Sequence, residues 1–403
     1  MRSDRLERIR RWQQRYVDEG KYPGSSLLIR RHGKEQYFHT AGLRNIEESL
    51  PFTRDTLVRL YSMTKPVTSV AVMSLLEQGL FHLDAPVSDF LPEFNDMQAL
   101  IPEAGHISQT EPCAVPTLQQ LLTHTSGLSY PFNPGLLPEV MAKEDLLFKP
   151  DHGSLAPMVT RLARLPLAFQ PGTRWEYSVA TDVLGRVAEV VSGKPLGRLL
   201  QEVIFEPLGM SETGFQPPSG AGSRFASLYT PLAGDALALN SAETGTDSLR
   251  PTDSYPHSPF WQAEMHSGGG GLIGTIDDYM KFTEMLRCRG RCGDGFIISP
   301  QTSDFMMQNH LSGDIASMGP QSFAEQPMEG MGFGLGGAVV LDPARARCPG
   351  SVGDFSWGGI ASTFFWLDRQ LDMSVVFLTQ LAPSSSYPSR PELKALVHGA
   401  IAE

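Results

Sequence analysis

The sequence lacks most of the motifs that would assign a chemistry at once. It contains no Gly-x-Ser-x-Gly segment, which argues against the nucleophile elbow of an α/β-hydrolase and its Ser-His-Asp triad. It also contains no His-Glu-x-x-His segment for zinc and no Gly-x-x-x-x-Gly-Lys segment for phosphate. No stretch reaches 18 consecutive apolar residues, the length that indicates a membrane-spanning helix. We therefore expect no metal, no organic cofactor and no membrane partner.

Positive charge is also in short supply. The chain has 33 Lys and Arg against 44 Asp and Glu, which gives a formal net charge of −11. Nucleic acids and anionic membranes are recognised by clustered basic residues, so neither is an expected partner. The strongest basic cluster, residues 2–15, alternates with acidic and apolar residues and is typical of a solvated helix face.

Cysteines are few, and the N-terminus has no apolar run. Cys288 and Cys292 lie close in sequence but have no histidine or second cysteine pair nearby, so we interpret them as free thiols rather than a metal site. Residues 1–5 lack the apolar core of a secretory signal, which predicts a cytoplasmic protein. At 403 residues the chain can bury a large core, in two domains or in one with an insertion.

One spacing in the chain has a direct chemical meaning. Ser62 and Lys65 form the single Ser-x-x-Lys pair, and on a helix this spacing places two side chains on one face, about 5–6 Å apart at Cβ. A serine hydroxyl becomes a good nucleophile when a neighbour removes its proton. An amine can do so when burial or nearby positive charge disfavours its protonated form. Chance alone gives about half a match in a chain of this length, so the pair needs support from other segments.

Pro66 indicates that a helix begins at Ser62. Proline is tolerated in the first turn of a helix, where its missing N–H has no partner in any case. Free backbone N–H groups and the positive end of the helix dipole then lie near the serine hydroxyl. A stripe of apolar and small residues continues the helix to Gly79, a plausible end.

Strands are predicted at both ends of the chain and helices between them. Near the N-terminus, residues 26–30 and 36–40 flank a glycine-containing turn and indicate a β-hairpin. Near the C-terminus, residues 361–367 and 373–381 form two runs rich in Phe, Val and Thr, separated by a polar turn. Adjacent hairpins imply antiparallel pairing, so we expect one antiparallel sheet shared by the two chain ends.

The predicted fold class is α/β of the α+β type. A central antiparallel sheet is flanked by helices, and a largely helical region is inserted between its two halves. The boundaries are 1–80 for the first part of the α/β domain, 81–264 for the mostly helical region and 265–403 for the second part. Residues 216–260 are rich in Pro, Ser, Gly and Thr and are interpreted as a long surface excursion over a cleft.

Three local patterns in the second half of the chain predict features of the structure. Glycines 268–271 lack the basic residues and strand context of a phosphate site, so we interpret them as close backbone packing beside a strand. Thr275, with Asp278 three residues later, indicates a capping box for the helix that follows. Residues 389–392 indicate a cap for a terminal helix that runs through residue 402.

Three short motifs occur in the order used by one group of serine hydrolases. They are Ser62-Met63-Thr64-Lys65, Tyr177-Ser178-Val179 and Trp357-Gly358-Gly359. On these motifs the chain resembles class C β-lactamases and penicillin-binding proteins, and in particular the family VIII carboxylesterases. Segments 122–128, 206–210 and 332–336 also match patterns common there, so the resemblance covers nearly the whole chain.

The resemblance implies a β-lactamase-like fold and an acyl-enzyme mechanism. Ser62 is then the nucleophile, and Lys65 and Tyr177 complete the catalytic group. A phenol ordinarily ionises near pH 10 and becomes a useful base only beside a positive charge, which Lys65 would supply. The sequence leaves open which of the two takes the first proton.

The resemblance also implies where the oxyanion and the substrate bind. The oxyanion donors are the backbone N–H groups of Ser62 and Ile360. Trp357, Gly358 and Gly359 are implied to contact the substrate, because glycines let an acyl group approach the strand without meeting a Cβ.

Two positions depart from the lactamase pattern. Trp357 stands where those enzymes begin the third motif with a lysine, so the cation that helps hold a lactam carboxylate is missing. Val179 stands where they have an asparagine. Both changes favour an uncharged carboxylic ester with a short or otherwise accessible acyl group. Tyr130 is a candidate for the substrate pocket, with a structural tyrosine as the alternative, and His124 is interpreted as structural.

Other functions stay open at this point. An acyltransferase would use the same acyl-enzyme and pass the acyl group to an alcohol or amine. A β-lactamase or D-amino-acid peptidase would keep the nucleophile and change the substrate, and a non-enzymatic peptidoglycan-like binder would keep only the fold. The natural ester and the oligomeric state are not indicated by the sequence.

Overall fold

An eight-stranded antiparallel sheet forms the centre of the computed structural model, which describes residues 1–231, 249–323 and 326–402. In chain order its strands are β1 (Gly24–Arg31), β2 (Lys34–Asn45), β3 (Leu50–Pro51), β4 (Met331–Phe333), β5 (Ala338–Val340), β6 (Phe355–Gly358), β7 (Phe364–Asp368) and β8 (Met373–Thr379). The spatial order is β4-β5-β6-β7-β8-β1-β2-β3, so the two ends of the chain meet where β8 pairs with β1. The predicted shared antiparallel sheet is confirmed.

Twelve α-helices occur in the described residues. In chain order they are α1 (Ser3–Asp18), α2 (Thr64–Glu77), α3 (Leu118–Leu122), α4 (Leu136–Lys143), α5 (Leu155–Leu162), α6 (Ala180–Ser192), α7 (Leu196–Leu200), α8 (Glu206–Leu208), α9 (Ile276–Arg287), α10 (Pro300–Met306), α11 (Ile315–Met318) and α12 (Ser389–Gly399). Five short two-stranded pairs lie outside the sheet. They are Val58–Arg59 with Ile273–Gly274, Gln98–Leu100 with Thr110–Pro112, Leu228–Thr230 with Arg250–Asp253, Arg291–Cys292 with Gly295–Phe296, and Ser322–Phe323 with Gln326–Pro327.

Helices cover both faces of the sheet. Successive side chains of a strand point to opposite faces. Leu28 of β1 and Val376 of β8 are paired neighbours in the larger core, which also contains buried residues of α2, α6 and α9. Leu27 and Phe377, one residue along, belong to a second core with α1 and α12. The prediction of a sheet with helices on both faces is therefore confirmed.

The first and last helices are tied together by a carboxylate. Trp12 Nε1 and Tyr16 Oη in α1 both donate to Oε2 of Glu392 in α12, at 2.6 and 3.0 Å. The predicted cap at the start of the terminal helix is wrong, because Ser389 is already inside the helix and the residue before it makes no side-chain cap. Glu392 is used for the contact with α1, and the helix ends at Gly399.

The predicted capping box at α9 is half formed. Thr275 Oγ1 accepts the backbone N–H of Asp278 at 3.4 Å, as expected for the cap. The Asp278 carboxylate instead accepts from the backbone N–H of Glu212 at 2.8 Å and from Thr213 Oγ1 at 3.2 Å. The acidic residue of the box therefore anchors the segment that follows α8 to the start of α9.

The segment between β3 and β4 carries α2 to α11, and the proposed division at residues 80 and 264 stays a prediction. Of the surface excursion predicted over 216–260, residues 232–248 lie outside the described residues. On either side of them, Leu228–Thr230 pairs with Arg250–Asp253.

Within 1–231, 249–323 and 326–402, no helix is long and apolar enough to cross a membrane. In the same ranges, His, Cys, Asp and Glu side chains form no group of three or more that could hold a metal ion. All four cysteines are free thiols, as predicted for Cys288 and Cys292.

Candidate active site

Ser62 lies in a short 3₁₀ turn (Tyr61–Met63) that leads directly into α2. The sequence placed the start of the helix at this serine, and the structure begins the regular α-helix two residues later. Tyr61 has a left-handed φ of 45°, a conformation that costs a side-chain-bearing residue about 1 kcal/mol or more. The turn is held in place by Tyr279 of α9, whose hydroxyl donates to the carbonyl of Met63 at 2.8 Å.

Lys65 is the second residue of α2 and has a fully buried side chain (0% exposed). Its Nζ donates to Ser62 Oγ at 3.2 Å, to Tyr130 Oη at 2.9 Å and to the carbonyl of Gly269 at 2.8 Å. An ammonium has three N–H donors, so each has an acceptor in this arrangement.

Tyr177 reaches the same hydroxyl from the segment before α6. Its Oη lies 2.6 Å from Ser62 Oγ. The ring packs against His124 and Trp357, with centroids 5.0 and 5.4 Å away, and Lys65 Nζ lies 4.6 Å from the ring centroid. The structure therefore brings together the three side chains that the sequence analysis singled out.

Hydrogen bonds between two loops hold the tyrosine segment. The backbone N–H of Val179 donates to the carbonyl of Ser129 at 3.2 Å, and His124 Nδ1 lies 3.0 Å from Ser178 Oγ. Burial, with the charge of Lys65 acting in the same direction, lowers the pKa of His124 well below its ordinary value. A neutral imidazole that bonds the neighbour of Tyr177 fits the structural interpretation of this histidine.

Tyr130 lines the cavity and stays a candidate for substrate contact, and its hydroxyl also accepts a hydrogen bond from Lys65. Its ring stacks on Phe132 at 4.6 Å. Burial, followed by the charges of Tyr177 and Asp182, raises the pKa of Tyr130 well above its ordinary value, so the phenol stays neutral. No sequence pattern connects this loop tyrosine with Lys65, and only the fold does so.

Asp182 is a further residue of this site, and no sequence pattern indicated it. This aspartate lies in the first turn of α6 and is 1% exposed. Its Oδ1 accepts from Ser267 Oγ at 2.5 Å and from the backbone N–H of Gly269 at 3.1 Å. Burial raises the pKa of Asp182, while the Ser267 hydrogen bond and the charge of Lys65 lower it. No sequence signal marked it, because its spacing from Arg186 and Glu189 places Asp182 on the charged face of the α6 pattern.

Close packing, as predicted, explains Gly268, Gly269 and Gly271, whereas a Cβ on Gly270 would have no neighbour nearer than 3.8 Å. A Cβ on Gly268 would lie 2.6 Å from the carbonyl oxygen of Thr181, and one on Gly271 would lie 2.7 Å from the ring of Phe215. The run precedes the short strand Ile273–Gly274, and its packing partner on one side is α6.

The two expected oxyanion donors lie on the same cavity. Ser62 and Ile360 both line it, together with Trp357, Gly358 and Gly359. Outside the bonds internal to helices and strands, no backbone hydrogen bond of the described residues is donated by the N–H of Ser62 or of Ile360. The assignment of these two N–H groups as the oxyanion donors stays a prediction.

The glycines of the third motif are explained by protein contacts. A Cβ on Gly359 would overlap the carbonyl oxygen of Leu60 and Oγ1 of Thr363. A Cβ on Gly358 would lie 2.6 Å from Nη2 of Arg390. The end of β6 therefore approaches the nucleophile turn more closely than a side chain would allow.

The cavity beside Ser62 has a volume of about 690 Å³. Its wall is rich in aromatic rings, from Tyr61, Tyr130, Phe132, Phe148, Trp175, Tyr177, Phe323, Trp357 and Phe364. Four charged side chains also reach it: Arg174, Glu176, Arg390 and Lys394. Burial raises the pKa of Glu176, whose carboxylate accepts a short hydrogen bond from Ser129.

The chain is similar in sequence to one family model and to relatives that are named as esterases. The family model described as "Beta-lactamase" matches residues 9–399. Esterase EstB of Burkholderia gladioli is 35% identical over 375 residues, covering 90% of this chain and 87% of that protein. Lovastatin esterase of Penicillium rubens is 30% identical over 377 residues, covering 88% of each.

A solved structure shows the same architecture. "EstCE1, a hydrolase with promiscuous acyltransferase activity" is similar with a TM-score of 0.78 and 29% identity, covering 99% of this chain and 98% of that one. The fold class predicted from the sequence is confirmed by this likeness.

Proposed function

We propose that this chain, which belongs to the beta-lactamase family, is a serine esterase and that carboxylic esters acylate Ser62. One observation carries this proposal. Ser62 Oγ lies 3.2 Å from Lys65 Nζ and 2.6 Å from Tyr177 Oη, in the wall of a cavity of about 690 Å³. The relatives named as esterases, at 35% and 30% identity, support an ester as the substrate.

The hydrogen-bond pattern favours Tyr177 as the first base. Lys65 directs its three N–H groups to Ser62 Oγ and to two further acceptors, so the ammonium form is fully bonded. In the structure Tyr177 Oη donates to Ser62 Oγ at 2.6 Å, so the same two oxygens are placed to pass a proton from Ser62 to Tyr177 when Tyr177 acts as the base. As the proposed base, Tyr177 reacts as its phenolate, which accepts the proton as Ser62 Oγ forms its bond to the carbonyl carbon.

The second half of the acylation step returns this proton. The carbonyl oxygen becomes an oxyanion, which the backbone N–H groups of Ser62 and Ile360 stabilise; each such donor is worth about 3 kcal/mol in related mechanisms. When the ester C–O bond breaks, Tyr177 passes the proton to the leaving alkoxide. The products are a free alcohol and an acyl group on Ser62.

Water then releases the acyl group by the same steps in reverse order. Tyr177 takes a proton from the water, the tetrahedral intermediate forms and collapses, and Ser62 recovers its hydrogen. An alcohol that occupies the place of the water would give acyl transfer instead. The "promiscuous acyltransferase activity" in the description of EstCE1 supports measuring both reactions.

The cavity suits a small, largely apolar ester. Its volume of about 690 Å³ falls within the range of about 300–1,000 Å³ that is common for small-molecule sites. Trp357 contributes an indole where a lactamase would have an ammonium, and aromatic rings form much of the wall. These features favour an uncharged ester over a carboxylate-bearing lactam.

The test combines turnover with covalent labelling. We expect the wild type to hydrolyse p-nitrophenyl butyrate, and Ser62→Ala and Lys65→Ala to lose at least about a thousandfold in kcat, because members of one catalytic unit fail together. A fluorophosphonate should add one group to Ser62, detected by intact mass and peptide mapping. Full ester turnover by Ser62→Ala would refute the proposal. A chromogenic cephalosporin and a competing alcohol, run in parallel, measure the lactamase and acyl-transfer alternatives.

A further inference from the structure

A buried carboxylate that the proposed reaction does not use lies behind Lys65. Asp182 is 1% exposed, and Ser267 Oγ and the backbone N–H of Gly269 both donate to its Oδ1, at 2.5 and 3.1 Å. Burying a carboxylate is costly unless hydrogen bonds and opposite charge compensate. Keeping a carboxylate at this buried position therefore costs folding free energy, which suggests that Asp182 has a function in the site.

The peptide of Gly269 connects this carboxylate to the lysine. Its N–H is bonded to Asp182, and its carbonyl accepts from Lys65 Nζ at 2.8 Å. A Cβ at this position would lie 2.6 Å from Asp182 Oδ2 and 3.2 Å from Tyr130 Oη. The glycine thus lets the carboxylate and the lysine approach the same short piece of backbone from two sides.

The charged and titratable neighbours of Asp182 belong to the same site. Lys65 faces it from α2, and Tyr130 faces it from the segment after α3. Ser267 and Gly269 contribute neutral donors from the glycine run. In this low-dielectric environment, the carboxylate compensates the positive charge of the buried ammonium.

We propose that Asp182 is a positioning residue for Lys65. Through Ser267 and the peptide of Gly269 it fixes the carbonyl that receives the ammonium, and its negative charge stabilises that ammonium. The inference rests on the proposed role of Ser62. It predicts that loss of the carboxylate slows acylation while substrate binding is largely preserved.

Three variants of the full chain test this role. Asp182→Asn keeps the shape and removes the charge, and Ser267→Ala removes one donor to it. Thr68→Val is the matched control, because Thr68 Oγ1 donates at 2.8 Å to the carbonyl of Gly268, which adjoins the same segment without bonding Lys65. The readouts are kcat and KM for p-nitrophenyl butyrate, the pH profile of kcat/KM, and the rate at which a fluorophosphonate labels Ser62.

For Asp182→Asn we expect kcat to fall about a hundredfold with KM within about threefold, the scale of misplacing a catalytic group by about 1 Å. In the wild type, the negative charge of Asp182 favours the protonated forms of the groups around it. Because Asp182→Asn removes this charge, the acidic limb of the pH profile should move to lower pH. Ser267→Ala should lose about tenfold, and Thr68→Val less than about threefold.

The outcomes separate this inference from the proposed function. The inference is overturned if Asp182→Asn folds, keeps more than about a third of the wild-type rate and has an unmoved pH profile. It is also overturned if Thr68→Val loses as much activity as Asp182→Asn. If Asp182→Asn does not fold, Ser267→Ala decides by the same criteria. A wild type that labels Ser62 without cleaving esters still tests Asp182 through labelling rates. A wild type that does neither overturns both proposals.

Discussion

Replacing Tyr177 by phenylalanine removes one oxygen atom from the candidate site and little else. The ring keeps its neighbours, His124 and Trp357, with centroids at 5.0 and 5.4 Å. What disappears is the hydroxyl that lies 2.6 Å from Ser62 Oγ. In the proposed reaction this oxygen accepts the proton from the nucleophile and returns it to the leaving group.

The size of the effect follows from those two proton transfers. A positioned acid or base contributes about 10²–10⁴-fold, so we expect kcat/KM to fall about a thousandfold, or about 4 kcal/mol of transition-state stabilisation. The loss of a hydrogen bond costs about 1 kcal/mol of folding free energy, which a protein of ordinary stability tolerates. The assay is p-nitrophenyl butyrate hydrolysis, with thermal unfolding measured on the same preparation.

Tyr279→Phe is the matched control. Tyr279 is also a buried tyrosine next to the nucleophile turn, and its hydroxyl donates to the carbonyl of Met63 at 2.8 Å. We expect a comparable loss of stability of about 1 kcal/mol with less than about a tenfold loss of activity. If Tyr177→Phe keeps more than about a tenth of wild-type activity, or the two variants lose activity equally, the assignment of Tyr177 as the base is refuted.

Two further predictions concern packing and pH. Gly359→Ala should lower the melting temperature and activity together, because its Cβ would overlap the carbonyl of Leu60 just before the nucleophile turn; unchanged values would contradict the close approach. Burial lowers the pKa of His398 to about 4, below the value of about 6.5 expected when unfolded. The resulting contribution of neutral His398 to the free energy of unfolding, on the order of 2 kcal/mol, is fully present above about pH 6.5 and is lost as the pH falls towards 4. His398→Gln should therefore flatten the dependence of melting temperature on pH between those values, and an unchanged slope would contradict the burial effect.

Local elements were predictable wherever near neighbours in sequence determine them. The first hairpin forms around its glycine turn, as predicted, because periodicity and turn chemistry act over a few residues. The cap expected before α12 failed for the opposite reason. Glu392 is bonded to Trp12 and Tyr16, whose positions depend on how the two ends of the chain pack.

Some residues of the candidate site were predictable from local spacing, and others were brought together only by the fold. Ser62 and Lys65 are one helical turn apart, so their proximity follows from the helix itself. Tyr177 and Ile360 could be named only through the order of three motifs in a family resemblance. Asp182 has no such motif, and its link to Lys65 exists only through the backbone of the glycine run.

The sequence by itself determined the apolar runs, rich in Phe, Val and Thr, that build the central strands of the antiparallel sheet. It also determined the spacing that places the Ser62 hydroxyl one helical turn from the Lys65 amine. The tertiary structure decided which phenol, which carboxylate and which backbone N–H groups meet that pair. The physical reason is the distance along the chain over which each effect acts. Periodicity and capping act within a few residues, whereas packing selects the partners of the site residues from segments 115 residues apart for Ser62 and Tyr177 and 87 residues apart for Asp182 and Gly269.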